Sequence, residues 1–199
     1  MEKILYCLLL LNIDIAFAQN ISWVEGSLVI HNDEVLVGQI HTEVKHDLVL
    51  FQRENTLMVY PAHLIKAFHF YDRKTNVNRR FVSLSDQNTK RREYHLYEVV
   101  VPGEITVFRR KKASAFSNHA DALDYNYFIY YNNSLLPLVK FASTIFPNML
   151  TGSDKTVKRF ISENRLKPYC AAGAIRIIKF YNEKLSTGSL QCVNQSAFD

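Results

Sequence analysis

Over residues 26–133 the chain repeats one pattern: apolar and β-branched runs of five to nine residues, each closed by a turn signal. Runs that short suit strands better than helices, so this stretch reads as a β-meander, sandwich or barrel. Ser27-Leu28-Val29-Ile30 ends at Asn32 and Asp33, and Val35-Leu36-Val37-Gly38-Gln39-Ile40 comes next, with Gly38 marking a bulge or a close backbone approach. Leu48-Val49-Leu50-Phe51 and Thr56-Leu57-Met58-Val59-Tyr60 flank a turn at Glu54-Asn55. Pro61, whose φ suits a first helical position, opens a single helical turn through Leu64. Strand character resumes at Phe68, Phe70 and Tyr71, then at Phe81-Val82-Ser83-Leu84, then over 94–101 and 104–108 around Pro102-Gly103. Residues 111–124 read as a polar loop, and a last strand over 125–131 ends at Asn132-Asn133.

Beyond residue 133 the apolar period changes. Leu138, Phe141, Ala142, Ile145 and Met149 share one helical face, and Pro147 should kink or shorten that helix. Ser153 stands where an N-cap would open a second helix carrying Val157, Phe160 and Ile161. A third helix over about 171–185 places Ile175, Ile178 and Tyr181 inward, and residues 186–199 read as a flexible polar tail. Strands first and helices after define an α+β class: an antiparallel β-meander or small-barrel-like body over 19–133, with about three C-terminal helices over 134–185 packed on it.

Residues 1–18 stand apart from this fold. Lys3 precedes an apolar run over 4–17, and Ala16-Phe17-Ala18 supplies a small-x-small cleavage pattern before Gln19, so residues 1–18 read as a signal peptide. The apolar run is short of a bilayer-spanning helix, and no later run reaches the length of one. The mature chain is then expected in a periplasm or outside the cell, with 23 basic and 17 acidic residues and a charge of +6. Of its cysteines, Cys170 and Cys192 remain after processing and could pair in an oxidising compartment, although sequence does not supply the geometry.

Several motifs together carry a resemblance. They are the strand pair with Gly38, Ile40, Asp47 and Val49; the stretch Pro61, Ala62, Ile65, Phe68 and Phe70; the run from Tyr97 through Val101-Pro102-Gly103-Glu104-Ile105 to Arg109-Arg110; and Asn164, Leu166 and Ile177-Ile178-Lys179-Phe180-Tyr181-Asn182. In these the chain resembles uncharacterised secreted proteins of Bacteroidota. The resemblance implies an exported β-rich body with C-terminal helices; it brings no activity and no functional residue. The β part is also similar in rhythm to small SH3-like barrels, a fold that hosts many functions.

Three constellations bear on function. His41, His46, His63 and His69 are candidate metal ligands, with Asp33, His31 and Asp47 nearby, but no pair has the H-x-x-x-H or C-x-x-C spacing of a metal motif. Residues 66–112 hold twelve Lys and Arg against five acids, in runs placed at predicted strand ends. Arg79, Arg80, Arg91, Arg92, Arg109 and Arg110 are therefore candidates for one basic rim that attracts anions; the alternative is solubilising charge on turns. Tyr125, Tyr127, Ile129 and Tyr131 share one face of the last strand, with Phe128 and Tyr130 on the other, which suits a packed strand better than a sugar-stacking platform.

No G-x-S-x-G elbow, P-loop or dinucleotide fingerprint occurs, so no catalytic residue and no cofactor is assigned. Two functions remain open. One is a non-catalytic envelope protein that binds or scaffolds, with envelope proteins or anionic glycolipids as partners; export argues against nucleic acid. The other is an envelope hydrolase or metal-binding enzyme built on the histidines of 31–69. Intact-mass analysis of the exported protein is expected to show loss of residues 1–18; full-length protein held in the membrane would contradict the signal-peptide reading.

Overall fold

The structure, a computed structural model, describes residues 22–86, 93–112, 125–152 and 155–195. Ten strands form one antiparallel sheet: β1 (Val24–Ile30), β2 (Val35–Glu43), β3 (Leu48–Arg53), β4 (Thr56–Pro61), β5 (Ile65–Asp72), β6 (Val77–Asp86), β7 (Glu93–Val101), β8 (Thr106–Lys111), β9 (Tyr125–Tyr131) and β10 (Ser134–Pro137). Among the described residues three α-helices follow: α1 (Phe146–Gly152), α2 (Lys155–Glu163) and α3 (Ala171–Gln195). The α+β class and the β-rich body are as the sequence period predicts. Among the described residues no helix is long and apolar enough to cross a membrane.

The strands lie in the order β10-β9-β8-β7-β6-β5-β1-β2-β3-β4. The sheet is open, with β10 and β4 as its edges, which corrects the small-barrel expectation. A barrel needs its first and last strands to pair, whereas here the chain after β6 adds four more strands and extends the sheet. Pro61 does lead into a single 3-10 turn, Ala62–Leu64, and a second such turn at Val44–His46 ends at Asp47 in the left-handed conformation. Ser83 Oγ donates to the Ala62 carbonyl at 2.7 Å, which fastens the first turn to β6.

Side chains alternate across a strand, so the registers assign each residue to a face. One face carries two separate cores. Leu28, Ile40, Phe51, Phe68 and Phe81 form the first, with the rings of Phe68 and Phe81 stacked at 4.6 Å. Val107 and Ile129 of β8 and β9 begin the second, which Phe141, Ile145, Ile177 and Ile178 complete. The helices therefore cover the β8–β10 end of the sheet and the C-terminal end of β7, where Val101 joins the second core. Their stripe is the expected one, since Leu138, Phe141, Ile145 and Met149 are all buried.

Pro147 has the foreseen effect on the first of these helices. The chain passes through a 3-10 turn at Leu138–Lys140 and a π turn at Phe141–Ile145 before it becomes regular at Phe146. Proline lacks an N–H, and its ring would meet the carbonyl of residue 143, so the ladder widens to accommodate it. Helix α3 runs ten residues past the predicted end at Leu185. That length separates the two cysteines. Cys170 stands just before the helix as a free, exposed thiol, and Cys192 lies about 33 Å along it at 1.5 Å per residue, far beyond the roughly 7 Å limit for a bridge. The Ser153 cap lies outside the described residues.

Asn182 docks α3 onto the sheet. Its Nδ2 donates to the carbonyls of Pro102 and Ile105 at 3.0 and 2.9 Å, and its Oδ1 accepts from the Ile105 N–H at 3.2 Å. Gly103 lies against this amide with φ +137°, where a Cβ would sit 2.4 Å from Asn182 Nδ2, so only glycine fits. Asn182→Ala would leave buried backbone groups of the β7–β8 connection without partners. It is expected to lower the unfolding free energy by about 2–3 kcal/mol in urea titration; a loss under about 0.5 kcal/mol would mean the amide does not hold the helix.

Candidate functional site

Among the described residues the predicted arginines do not share one rim, because the pairs Arg79-Arg80 and Arg109-Arg110 lie inside strands. Arg79 and Arg80 are in β6, and Arg109 and Arg110 are in β8. Neighbours in a strand point to opposite faces, so Arg79 and Arg109 lie on the core face while Arg80 and Arg110 lie on the other. Arg91 and Arg92 fall outside the described residues.

On the core face, Phe81, Glu98 and Arg109 sit side by side across β6, β7 and β8. Glu98 is only 7% exposed. Arg79 donates Nε to Oε1 at 2.9 Å and Nη2 to Oε2 at 2.7 Å. Arg109 donates Nε to Oε2 at 2.8 Å and Nη2 to Oε1 at 2.9 Å. The carboxylate thus accepts as many bonds as its lone pairs allow. Burial alone would push the Glu98 carboxyl up, but the hydrogen bonds from Arg79 and Arg109 outweigh it and hold the group below the usual glutamate range. The same bonds raise both guanidinium pKa values. Arg79 also lies over the rings of Phe70 and Phe81 at 5.7 and 5.2 Å, and Arg109 lies over Tyr125 at 4.6 Å. This ionic cluster therefore fills the divide between the two cores, with an aromatic ring on each side.

The histidines are dispersed. His41 donates from Nε2 to Glu43 Oε1 at 2.9 Å and packs on Trp23; His69 meets Ser27 Oγ at 3.0 Å on the face away from the cores. His46 and His63 do line one cavity, together with His95, but among the described residues no three His, Cys, Asp or Glu side chains gather as metal ligands. Asp47, adjacent to His46 in the sequence, is a fastener. It accepts from His95 Nδ1 at 2.8 Å, from the Leu96 N–H at 2.9 Å and from Arg110 Nη2 at 2.7 Å, binding the β2–β3 turn to β7 and β8.

Beside the ionic cluster the surface opens into a trough. A cavity of about 400 Å³ is lined by Lys45, Lys111, Lys112, Arg79, Phe81 and Tyr125, with Glu43 as its acid. Lys45 comes from the Val44–His46 turn, which folds against β8, and Lys111 stands opposite Tyr125 in the β8–β9 register. None of the three lysines makes a salt bridge to a described residue, while Glu43 is already engaged by His41 and His46. A second cavity, of about 440 Å³, shares Lys112 and Tyr125 with the first and continues under Tyr127, Leu138, Tyr169 and Ala174. Its outer edge is apolar and solvent-facing, with Tyr169 71% and Val139 79% exposed.

In the sequence, Lys111 and Lys112 stand only as the end of a charged run, and Lys45 carries no signal, because it approaches them only through the sheet's pairing. The tyrosine strand divides its labour: Ile129 is fully buried, while Tyr125 and Tyr127 line the trough. What the arrangement can do chemically is hold an anion beside aromatic faces. Beneath it lies the saturated ionic cluster, whose Arg79 also lines the cavity.

Removing the Glu98 charge tests that cluster. Glu98→Gln leaves two guanidinium groups facing each other, and since these keep 25% and 30% exposure the cost is expected near the lower side of the buried-pair range, about 3 kcal/mol at pH 7. A depressed carboxyl pKa contributes stability that is present above the unfolded value of about 4.3 and lost as pH falls through the folded value. The gap between wild type and Glu98→Gln in chemical denaturation should therefore close below about pH 4; a gap independent of pH would refute the assignment. No protein-family model, curated protein or solved structure matches the chain.

Proposed function

We propose that the chain is an exported, non-catalytic protein of the cell envelope that binds an anionic component through the basic trough. One observation carries the reading: Lys45, Lys111 and Lys112 converge on one cavity in which the acid, Glu43, is held by histidines. The signal-like residues 1–18 support the location, as does the resemblance to secreted proteins. This replaces a rim of arginines by a cluster of lysines, and it leaves Arg79, Arg109 and Arg110 to the fold.

A hydrolase is the second reading, favoured by the His95–Asp47 pair at 2.8 Å on a cavity of about 580 Å³. That geometry would suit a general base. Against it, Asp47 also takes Arg110 and a backbone N–H, and the cavity lining holds no serine, threonine or cysteine to be activated.

Sedimentation with vesicles of phosphatidylglycerol and phosphatidylcholine tests the binding reading. Wild type should pellet with the anionic vesicles at low salt and be released towards 0.15 M, where the Debye length is about 8 Å. At about 1 kcal/mol per basic residue near such a surface, reversing Lys45, Lys111 and Lys112 to Glu should weaken binding by at least about 100-fold. Arg80→Glu, on the opposite face, should leave it unchanged. Equal loss in both variants would mean that overall charge, and not the trough, attracts the vesicle.

A further inference from the structure

The basic cavity and its neighbour differ in chemistry but share a wall. Lys112 and Tyr125 belong to both. On one side of them stand Lys45 and Lys111; on the other the lining is Tyr127, Leu138, Val139, Tyr169, Ala171 and Ala174, drawn from β9, the first helical turn after β10 and the start of α3. A ligand held by the lysines alone would leave this second chamber open beside it. Val139 and Tyr169, both exposed, carry the apolar lining of the chamber out to the surface. At about 440 Å³ the chamber lies in the range of small-molecule sites.

We infer that the two cavities form one site for an anionic amphiphile, with a phosphate-type head on Lys45, Lys111 and Lys112 and an apolar chain in the chamber under Tyr127 and Tyr169. The inference rests on the anion-binding reading of the trough and adds the chain. The head and chain contribute by different physics. Charge attraction at the lysines is screened by salt, whereas burying the chain adds up to about fourfold in affinity per methylene and is insensitive to salt. The Tyr125 ring, pinned under Arg109, separates the two environments and fixes where head meets chain. The chamber has a finite volume, about 440 Å³, with buried Ala174 in its lining, so chain length should matter only until the chamber is filled.

Calorimetric titration of the full chain with inorganic phosphate, octyl glucoside, and hexyl, octyl and decyl phosphate below their micelle concentrations separates the two contributions. Octyl phosphate should bind at least tenfold more tightly than either phosphate or octyl glucoside, with affinity rising from the hexyl compound and then levelling. Ala171→Trp, at an exposed position on the chamber wall, should bring octyl phosphate down to the level of phosphate and leave phosphate binding unchanged. Tyr169→Ala should act in the same direction. Lys111→Glu with Lys112→Glu should weaken phosphate and octyl phosphate alike. If octyl phosphate binds no better than phosphate, or Ala171→Trp changes nothing, the amphiphile inference falls and the anion reading stands. If octyl glucoside binds as well as octyl phosphate, or neither phosphate compound binds, the anion reading falls with it.

Discussion

A carboxylate with four hydrogen bonds from two guanidinium groups, set between two hydrophobic cores, is the constraint on which this architecture depends. A ten-stranded sheet with apolar side chains along one face would ordinarily need a continuous cover. Here the cover is interrupted at β6–β8, where Arg79, Glu98 and Arg109 replace apolar side chains with a saturated ionic cluster. The first core can then be closed by its own turns, and the helices are needed only for the second. Because Glu98 bonds to β6 and to β8 at once, it also ties the two halves together on the face that carries the cores. A buried charge is weak support for stability in general; in this position it sets the relation between two cores.

The divide explains why a trough exists. Helices stop short of the first core, and the Val44–His46 turn, held over the sheet by Asp47, stops short of the helices. The seam between them is floored by charge and walled by tyrosines. Lysines brought to its edge by β8 and by the turn are exposed and make no salt bridge to a described residue. The ionic cluster and the lysines thus have opposite roles, although sequence presents them as one basic segment.

Much of the fold was legible because it obeys local rules. Period two over 26–133 located the strands, Pro61 marked the 3-10 turn, and Pro147 marked the irregular start of the helical segment. Asn132 and Asn133, both with positive φ, form the tight turn their chemistry suggests; the chain then enters a short strand, β10, at a place where the helical segment was expected to begin. Less was legible about the site. The arginine pairs looked like strand ends because runs of charge usually are, and a shift of three or four residues in a strand boundary puts Arg79-Arg80 and Arg109-Arg110 inside, where alternation sends the two members of a pair to opposite faces. Lys45 and Tyr169 had no local signal at all, since their value comes from distant segments that the sheet brings beside them.

Strand order has a consequence for how such a chain reaches its native state. Every neighbouring pair in the sheet is a sequential hairpin except one, β1 with β5. A chain emerging N-terminus first can fold β1 to β4 as it appears and lay down β5 to β10 in turn, with little of the entropic delay that distant pairing imposes. The single long-range junction waits for β5, and until then β1 presents an unpaired edge carrying Leu28 and Ile30. That interval, more than any step in the later strands, is when the nascent molecule is open to pairing with a second copy of itself.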